Sequence, residues 1–225
     1  MNILQKIALN FAAIIDKLSW KIKNNIVTKL GDKFDKEHGI KKVGPWNCDD
    51  KRYNRYEGTN PLAMESLLRL EDFSKNDHFV EIGCGHGRLL MFMAEHGFKN
   101  LVGIEYDHLL YSMCQENINT NRNSYPETNI KLINGRAEET KIENEWNVFY
   151  IFNCFRDKEV YINFLNRIKE SVALFYRRIT IIVLLPTESS LGAFCDDPWL
   201  KSRRKVYDQR QPCYRCAYFY IFSNE

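Results

Sequence analysis

The chain has 225 residues, 44% of them apolar, and a formal net charge of +3. That length suits one α/β domain with a large core plus an extension. So mild a charge argues against an extended nucleic-acid surface, and no apolar run reaches the roughly 18 residues of a spanning helix.

Seven cysteines are scattered at Cys48, Cys84, Cys114, Cys154, Cys195, Cys213 and Cys216. An odd count without an even framework points to a reducing, cytoplasmic setting. Cys213-x-x-Cys216 lacks a second ligand pair, so no metal site is expected.

Residues 1–30 read as an amphipathic helix. Ile3, Ile7, Phe11, Ile14, Leu18, Ile22 and Ile26 recur at three- and four-residue steps, with lysines opposite and Gly31 as the stop. Such a helix packs on the domain or on a second subunit (a homodimer), or else lies peripherally on a membrane. Asn10 and Asp16-Lys17 interrupt what could be mistaken for a signal-peptide core. Residues 32–58 are polar and broken by Gly39, Gly44, Pro45 and Gly58, which predicts a long irregular loop carrying Phe34, Trp46, Tyr53 and Tyr56.

A helix follows, capped by Thr59 or Asn60, with Pro61 at its first position and Leu62, Met64, Leu67, Leu68 and Leu70 inward. Phe79-Val80-Glu81-Ile82 is a short β run, and Gly83, Gly85 and Gly87 then alternate ahead of a helix over His86–His96 that Gly97 ends. Strands follow at Leu101–Glu105, Ile130–Ile133, Asn147–Phe152 and Thr180–Leu185. Between them lie helices over His108–Asn121 (Leu109, Leu110, Met113, Cys114 and Ile118 inward) and from Asp157 (Val160, Tyr161, Phe164, Leu165 and Ile168 inward). After Pro186 the pattern predicts a loop, then two β runs, Arg203–Tyr207 and Ala217–Phe222, turned back by Pro212. Arg203-Arg204-Lys205 reads as a solvated edge cluster. The fold class is therefore α/β, Rossmann-like and doubly wound: a mostly parallel sheet ending in an antiparallel hairpin, plus the N-terminal amphipathic helix.

The glycine turn is a nucleotide-type site, because its backbone admits a ligand and the next helix offers free N–H groups. A dinucleotide turn would need a third glycine where this chain has Arg88. An acid at position 81 would repel a pyrophosphate and welcome an ammonium, and Glu105 ends the second strand where a ribose acceptor belongs.

With Glu81-x-Gly83-x-Gly85-x-Gly87 and Glu105 in place, the chain resembles the class I methyltransferases. The resemblance implies S-adenosyl-L-methionine as cofactor and a seven-stranded sheet whose last strand inserts antiparallel. Residues 1–58 would be a helical arm and lid-like loop and residues 59–225 the domain. It also implies that Glu81, Gly83, Cys84, Gly85 and Gly87 hold the methionine end, Glu105 and Tyr106 the ribose side, and Ala137 or Glu138 the adenine. The family often has Gly-Asp-Ala after the third strand; this chain has Arg136 instead of the acid. After the fourth strand, Phe152-Asn153-Cys154-Phe155 is similar to the Phe-Asn-Pro-Phe turn of some bacterial methyltransferase-like proteins, which makes Asn153 a candidate for cofactor and acceptor alike. The lid candidates are Tyr53, Arg55, Tyr56 and Glu57; Tyr56 and Glu57 are candidate catalytic groups by loop position, and His86 is expected to face solvent or the cofactor carboxylate. Methyl transfer to a small molecule or glycan precursor is the leading expectation, with protein lysine open. The alternative is a non-catalytic cofactor-binding sensor or partner subunit.

Overall fold

A computed structural model describes residues 22, 25, 26, 28–42, 50–208 and 218–225. The amino-terminal half of the arm, Trp46, and the Cys213–Cys216 pair lie outside the described residues, as does the turn between the last two strands.

The elements run α1 (residues 28–37), α2 (Pro61–Leu70), β1 (His78–Ile82), α3 (Arg88–Glu95), β2 (Asn100–Glu105), α4 (His108–Asn121), β3 (Asn129–Asn134), β4 (Trp146–Phe152), α5 (Lys158–Leu174), β5 (Thr180–Leu184), α6 (Glu188–Phe194), β6 (Ser202–Tyr207) and β7 (Tyr218–Ser223). Seven strands form one sheet in the order β3-β2-β1-β4-β5-β7-β6. The first five in that order are parallel, and β7 inserts antiparallel between β5 and β6, as the fold class predicts. β1 lies where the strand order reverses, so the carboxyl ends of β1 and β4 open a crevice.

Alternation along the strands splits the core into two layers. Val80, Val102, Phe149 and Ile151 face one cluster with Val160, Tyr161, Phe164, Leu165 and Ile168, the whole inward set expected of α5. Phe79, Leu101, Val148 and Tyr150 face the other, with Leu67, Leu90, Met93 and Phe34. Local signals behave as read. Asn60 caps α2 by accepting from the Leu62 amide at 3.0 Å, Asp157 caps α5, and Gly97 ends the α3 segment at φ +80°. β6 is the edge strand, and its Arg203, Arg204 and Lys205 are exposed.

Four expectations are corrected. Gly31 does not stop the arm: α1 continues to residue 37, and Gly39 turns the chain at φ +58°. Residues 32–37, read as loop, are helical because Phe34 has core to pack on, with the Phe92 ring 6.0 Å away. On α4, Leu109 is 46% exposed, while polar Asn117 is buried because it bonds backbone on two neighbouring segments. The segment after Pro186 is helix α6, not a loop: Thr187 and Ser190 form a capping box, and Pro186 precedes the helix without interrupting it.

Candidate active site

β1 delivers Glu81 to the crevice, and the chain then turns through Gly83, Gly85 and Gly87 at φ +74°, +52° and +85°. The amides of Gly83 and Cys84 both donate to the Ile104 carbonyl, at 2.8 and 3.2 Å, which ties the turn to β2. A Cβ at Gly85 would stand 1.8 Å from Cε2 of Tyr56, so the tyrosine ring occupies the space beside this glycine. A Cβ at Gly87 would stand 2.8 Å from the Cys114 sulfur; this glycine serves the approach of α4.

Two spaces adjoin the turn. The larger, a cleft of about 560 Å³ including its open mouth, is walled by Gly83, Glu105, Tyr106, Ala137, Asn153 and Cys154 and roofed by residues 53–57. The smaller, about 260 Å³, lies between Glu81, Cys84 and Arg88 on one side and Tyr56 to Thr59 on the other. Of the predicted cofactor residues, Gly83, Glu105, Tyr106, Ala137 and Asn153 thus meet around one cleft, and Glu81 and Cys84 around its neighbour.

Glu81 is buried, and among the described residues its Oε2 has no hydrogen-bond partner. Burial, with Cys114 and Glu105 adding to it, holds its carboxyl well above the usual range. Glu105 is also buried, but it accepts from the Gly85 amide at 2.9 Å and the Asp107 amide at 3.0 Å. Burial pushes it up to about 7, with those amides opposing the shift.

Glu138 does not line the cleft; its Oε1 accepts from the Tyr53 hydroxyl, and among the described residues its Oε2 has no partner. Tyr53 stacks on Tyr106 at 4.5 Å, and Arg136 lies over both rings while bonding Asp50 and the Tyr53 oxygen, each at 3.0 Å. Arg136, which replaces the family's acid, therefore anchors the lid. Ala137 lines the cleft.

His86 corrects another expectation: it is 2% exposed, edge-on to Tyr56 at 4.5 Å, and burial lowers it to about 4. It is a neutral packing group beneath the lid, not a solvent-facing one. Cys154 lines the cleft, and burial pushes its thiol well up, the opposite of what a nucleophile needs.

Asn153, in the turn after β4, is held at φ +48°. Its Oδ1 accepts from Asn54 Nδ2 at 3.1 Å, and its Nδ2 donates to Glu57 Oε2 at 3.0 Å. Asn54 also donates to the carbonyls of Cys154 and Phe155, each at 3.0 Å, and Tyr53 pairs antiparallel with Phe155. Residues 53–57 are thus stitched to the turn after β4, and both ends of the Asn153 carboxamide are engaged by them. Asn54 escaped the sequence reading: one asparagine in a breaker-rich loop carries no periodic or motif signal. Arg55 lines the cleft and is exposed.

Residues 79–173 match the family profile of a methyltransferase domain. Over 105 residues the chain is 26% identical to protein arginine N-methyltransferase 1 of Saccharomyces cerevisiae, covering 43% of this chain and only 29% of that protein. Among solved structures, the human methyltransferase 10 domain containing protein superposes with a TM-score of 0.53 at 12% identity, over 91% of this chain and 98% of that one. The N-terminal domain of human METTL16 in complex with SAH gives 0.53 at 13% identity, over 88% and 80%. TrmN from Thermus thermophilus gives 0.51 at 17% identity, over 73% and 48%. At these identities the structural likeness shows the fold.

Proposed function

We propose that the chain is a class I, Rossmann-like methyltransferase that takes its methyl from S-adenosyl-L-methionine and passes it to a small molecule or glycan precursor by in-line displacement; the methyltransferase-domain match over residues 79–173 and the sheet order support this reading. In this reading residues 1–58 are the arm and lid and residues 59–225 the catalytic domain.

Glu81 carries the proposal. A buried carboxylate oxygen without a partner costs on the order of 1–3 kcal/mol or more. An ammonium entering the smaller space satisfies it, and the methionine end of the donor supplies one. Glu105 takes the ribose hydroxyls with Tyr106 beside it, the backbone of Gly83 to Gly87 the methionine end, and Ala137 the adenine side. Bound there, the donor contributes a methyl on a positive sulfur with a neutral thioether as leaving group. The chain's own task is to hold a nucleophile in line and exclude water, and positioning alone is worth about 7–11 kcal/mol in favourable cases. Tyr56 and the lid close the space; Glu57, oriented by Asn153, accepts the proton of an oxygen or ammonium nucleophile.

Two other readings each have a specific observation. The similarity to a protein arginine N-methyltransferase favours a nitrogen on a protein side chain. The engagement of Asn153 and the Cys154 carbonyl by the lid favours a sensor without an acceptor. Incubation with methyl-labelled donor and a lysate split into small-molecule, glycan, lipid and protein fractions separates them. Label in the first two supports the proposal, label in protein alone moves the acceptor, and no transfer despite tight donor binding leaves the sensor.

A further inference from the structure

Arg88 opens α3 where a dinucleotide turn would carry a glycine, and its guanidinium reaches back to two separate segments. Nε and Nη2 donate to the two oxygens of Asp35 on α1, at 2.6 and 2.5 Å. Nη1 donates to the carbonyls of Gly58 and Thr59, at 3.3 and 3.2 Å. The surroundings are shaped for this group. A Cβ at Gly31 would lie 3.3 Å from Nη1, and one at Gly58 only 2.9 Å from it.

Asp35 is 3% exposed and also receives Lys42 Nζ at 2.5 Å. Burial raises its carboxyl, but Arg88 and Lys42 outweigh burial and keep it ionised. A second fastening runs beside the first: Asn117 of α4 bonds both the amide and the carbonyl of Lys41, at 2.9 and 3.0 Å, and the carbonyl of His86 at 3.0 Å. Asp35 and Lys41 are therefore both tied to the carboxyl end of the glycine turn, the first through Arg88 and the second through Asn117 and the His86 carbonyl.

We infer that Asp35 and Arg88 are positioning residues for the amino-acid end of the donor, so that α1 acts through them as part of the cofactor site. The inference rests on the methyltransferase reading above. Arg88 and Glu81 line the same small space, together with Tyr56, Gly58 and Thr59. An ammonium entering beside Glu81 meets the Arg88 cation in the wall; Asp35 neutralises that cation and leaves Glu81 to set the sign of the space. Arg88 also holds the carbonyls at the base of the lid, two residues beyond the tyrosine whose ring covers Gly85. The adenosine half belongs to the other cleft, which neither residue lines.

Two ligands separate this role from general support of the fold: S-adenosylhomocysteine, and 5′-methylthioadenosine, the same adenosine thioether without the amino-acid end. Both are titrated calorimetrically into wild type, Asp35→Asn and Arg88→Lys. We expect each substitution to weaken S-adenosylhomocysteine by about tenfold or more, with methylthioadenosine changed by less than about twofold. Unchanged homocysteine-ligand affinity in Asp35→Asn, or equal weakening of both ligands, overturns the inference. Wild type that binds neither ligand overturns the methyltransferase reading with it. Should the variants not fold, amide exchange on wild type decides: S-adenosylhomocysteine slows exchange in residues 28–42 and methylthioadenosine does not, and an arm indifferent to both refutes the coupling.

Discussion

Glu105 gives a prediction that joins the pH dependence of the fold to that of the site. Burial raises its carboxyl from 4.5 to about 7, against the pull of the Asp107 and Gly85 amides. The folded chain thus holds this proton more tightly than the unfolded chain does. Its contribution to stability is full below pH 4.5 and is lost as pH rises to about 7, by on the order of 3 kcal/mol at about 1.4 kcal/mol per unit. Donor binding has the opposite slope, because ribose hydroxyls require the ionised acceptor. Below about pH 7 binding releases this proton, so affinity rises about tenfold per pH unit and then levels. Glu81, also held above its usual range, adds a slope of its own. The diagnostic is therefore the difference between wild type and Glu105→Gln. The variant should lose one unit of slope below pH 7. It should also bind more weakly by about 1–3 kcal/mol, since its amide turns a donor toward the Gly85 or Asp107 N–H. The assay is calorimetry with S-adenosylhomocysteine from pH 5.5 to 8. Parallel curves for the two proteins would remove Glu105 from the ribose and refute the argument.

Other perturbations test the lid. Gly85→Ala places a Cβ 1.8 Å from the Tyr56 ring at φ +52°, so melting temperature and donor affinity should both fall, beyond the roughly 1–2 kcal/mol of left-handed strain; Tyr56→Ala in the same chain should restore part of the melting temperature. Tyr53→Phe removes the one hydroxyl donor to a buried carboxylate whose other oxygen already has no partner, and a urea titration should register a loss of about 1–3 kcal/mol. At Asn153, held at φ +48°, glycine should be about 1 kcal/mol more stable than alanine; both variants should keep donor affinity within about twofold while methyl transfer falls. Equal stability of the two, or unimpaired turnover, would remove Asn153 from the acceptor side.

Where the sequence was legible, the physics is short-ranged. The inward residues of α5 repeat with the helical period, and all five expected ones are buried. The caps at Asn60 and Asp157 are each settled within two residues. The turn from Glu81 to Gly87 announces itself because an acid and alternating glycines sit between a strand and a helix pattern. Even local signals can be overruled by a neighbouring one: Pro186 read as a breaker and masked the capping box that begins α6 one residue later.

By itself, then, the sequence determined the parallel sheet with its antiparallel ending and the place of the glycine turn, both of which follow from period and turn chemistry. Only the tertiary structure decided what the turn is built against. Arg88 finds Asp35 across 53 positions, Tyr53 finds Glu138 across 85, and Asn54 finds the Phe155 carbonyl across 101. These are single polar contacts between segments without shared periodicity, and they form because buried donors and acceptors must pair wherever the packed layers bring them together. That requirement tied Tyr53 to Glu138 and Arg88 to Asp35, while the packing of Phe34 carried the helix through residues 32–37, which polar residues and glycines had disguised as loop.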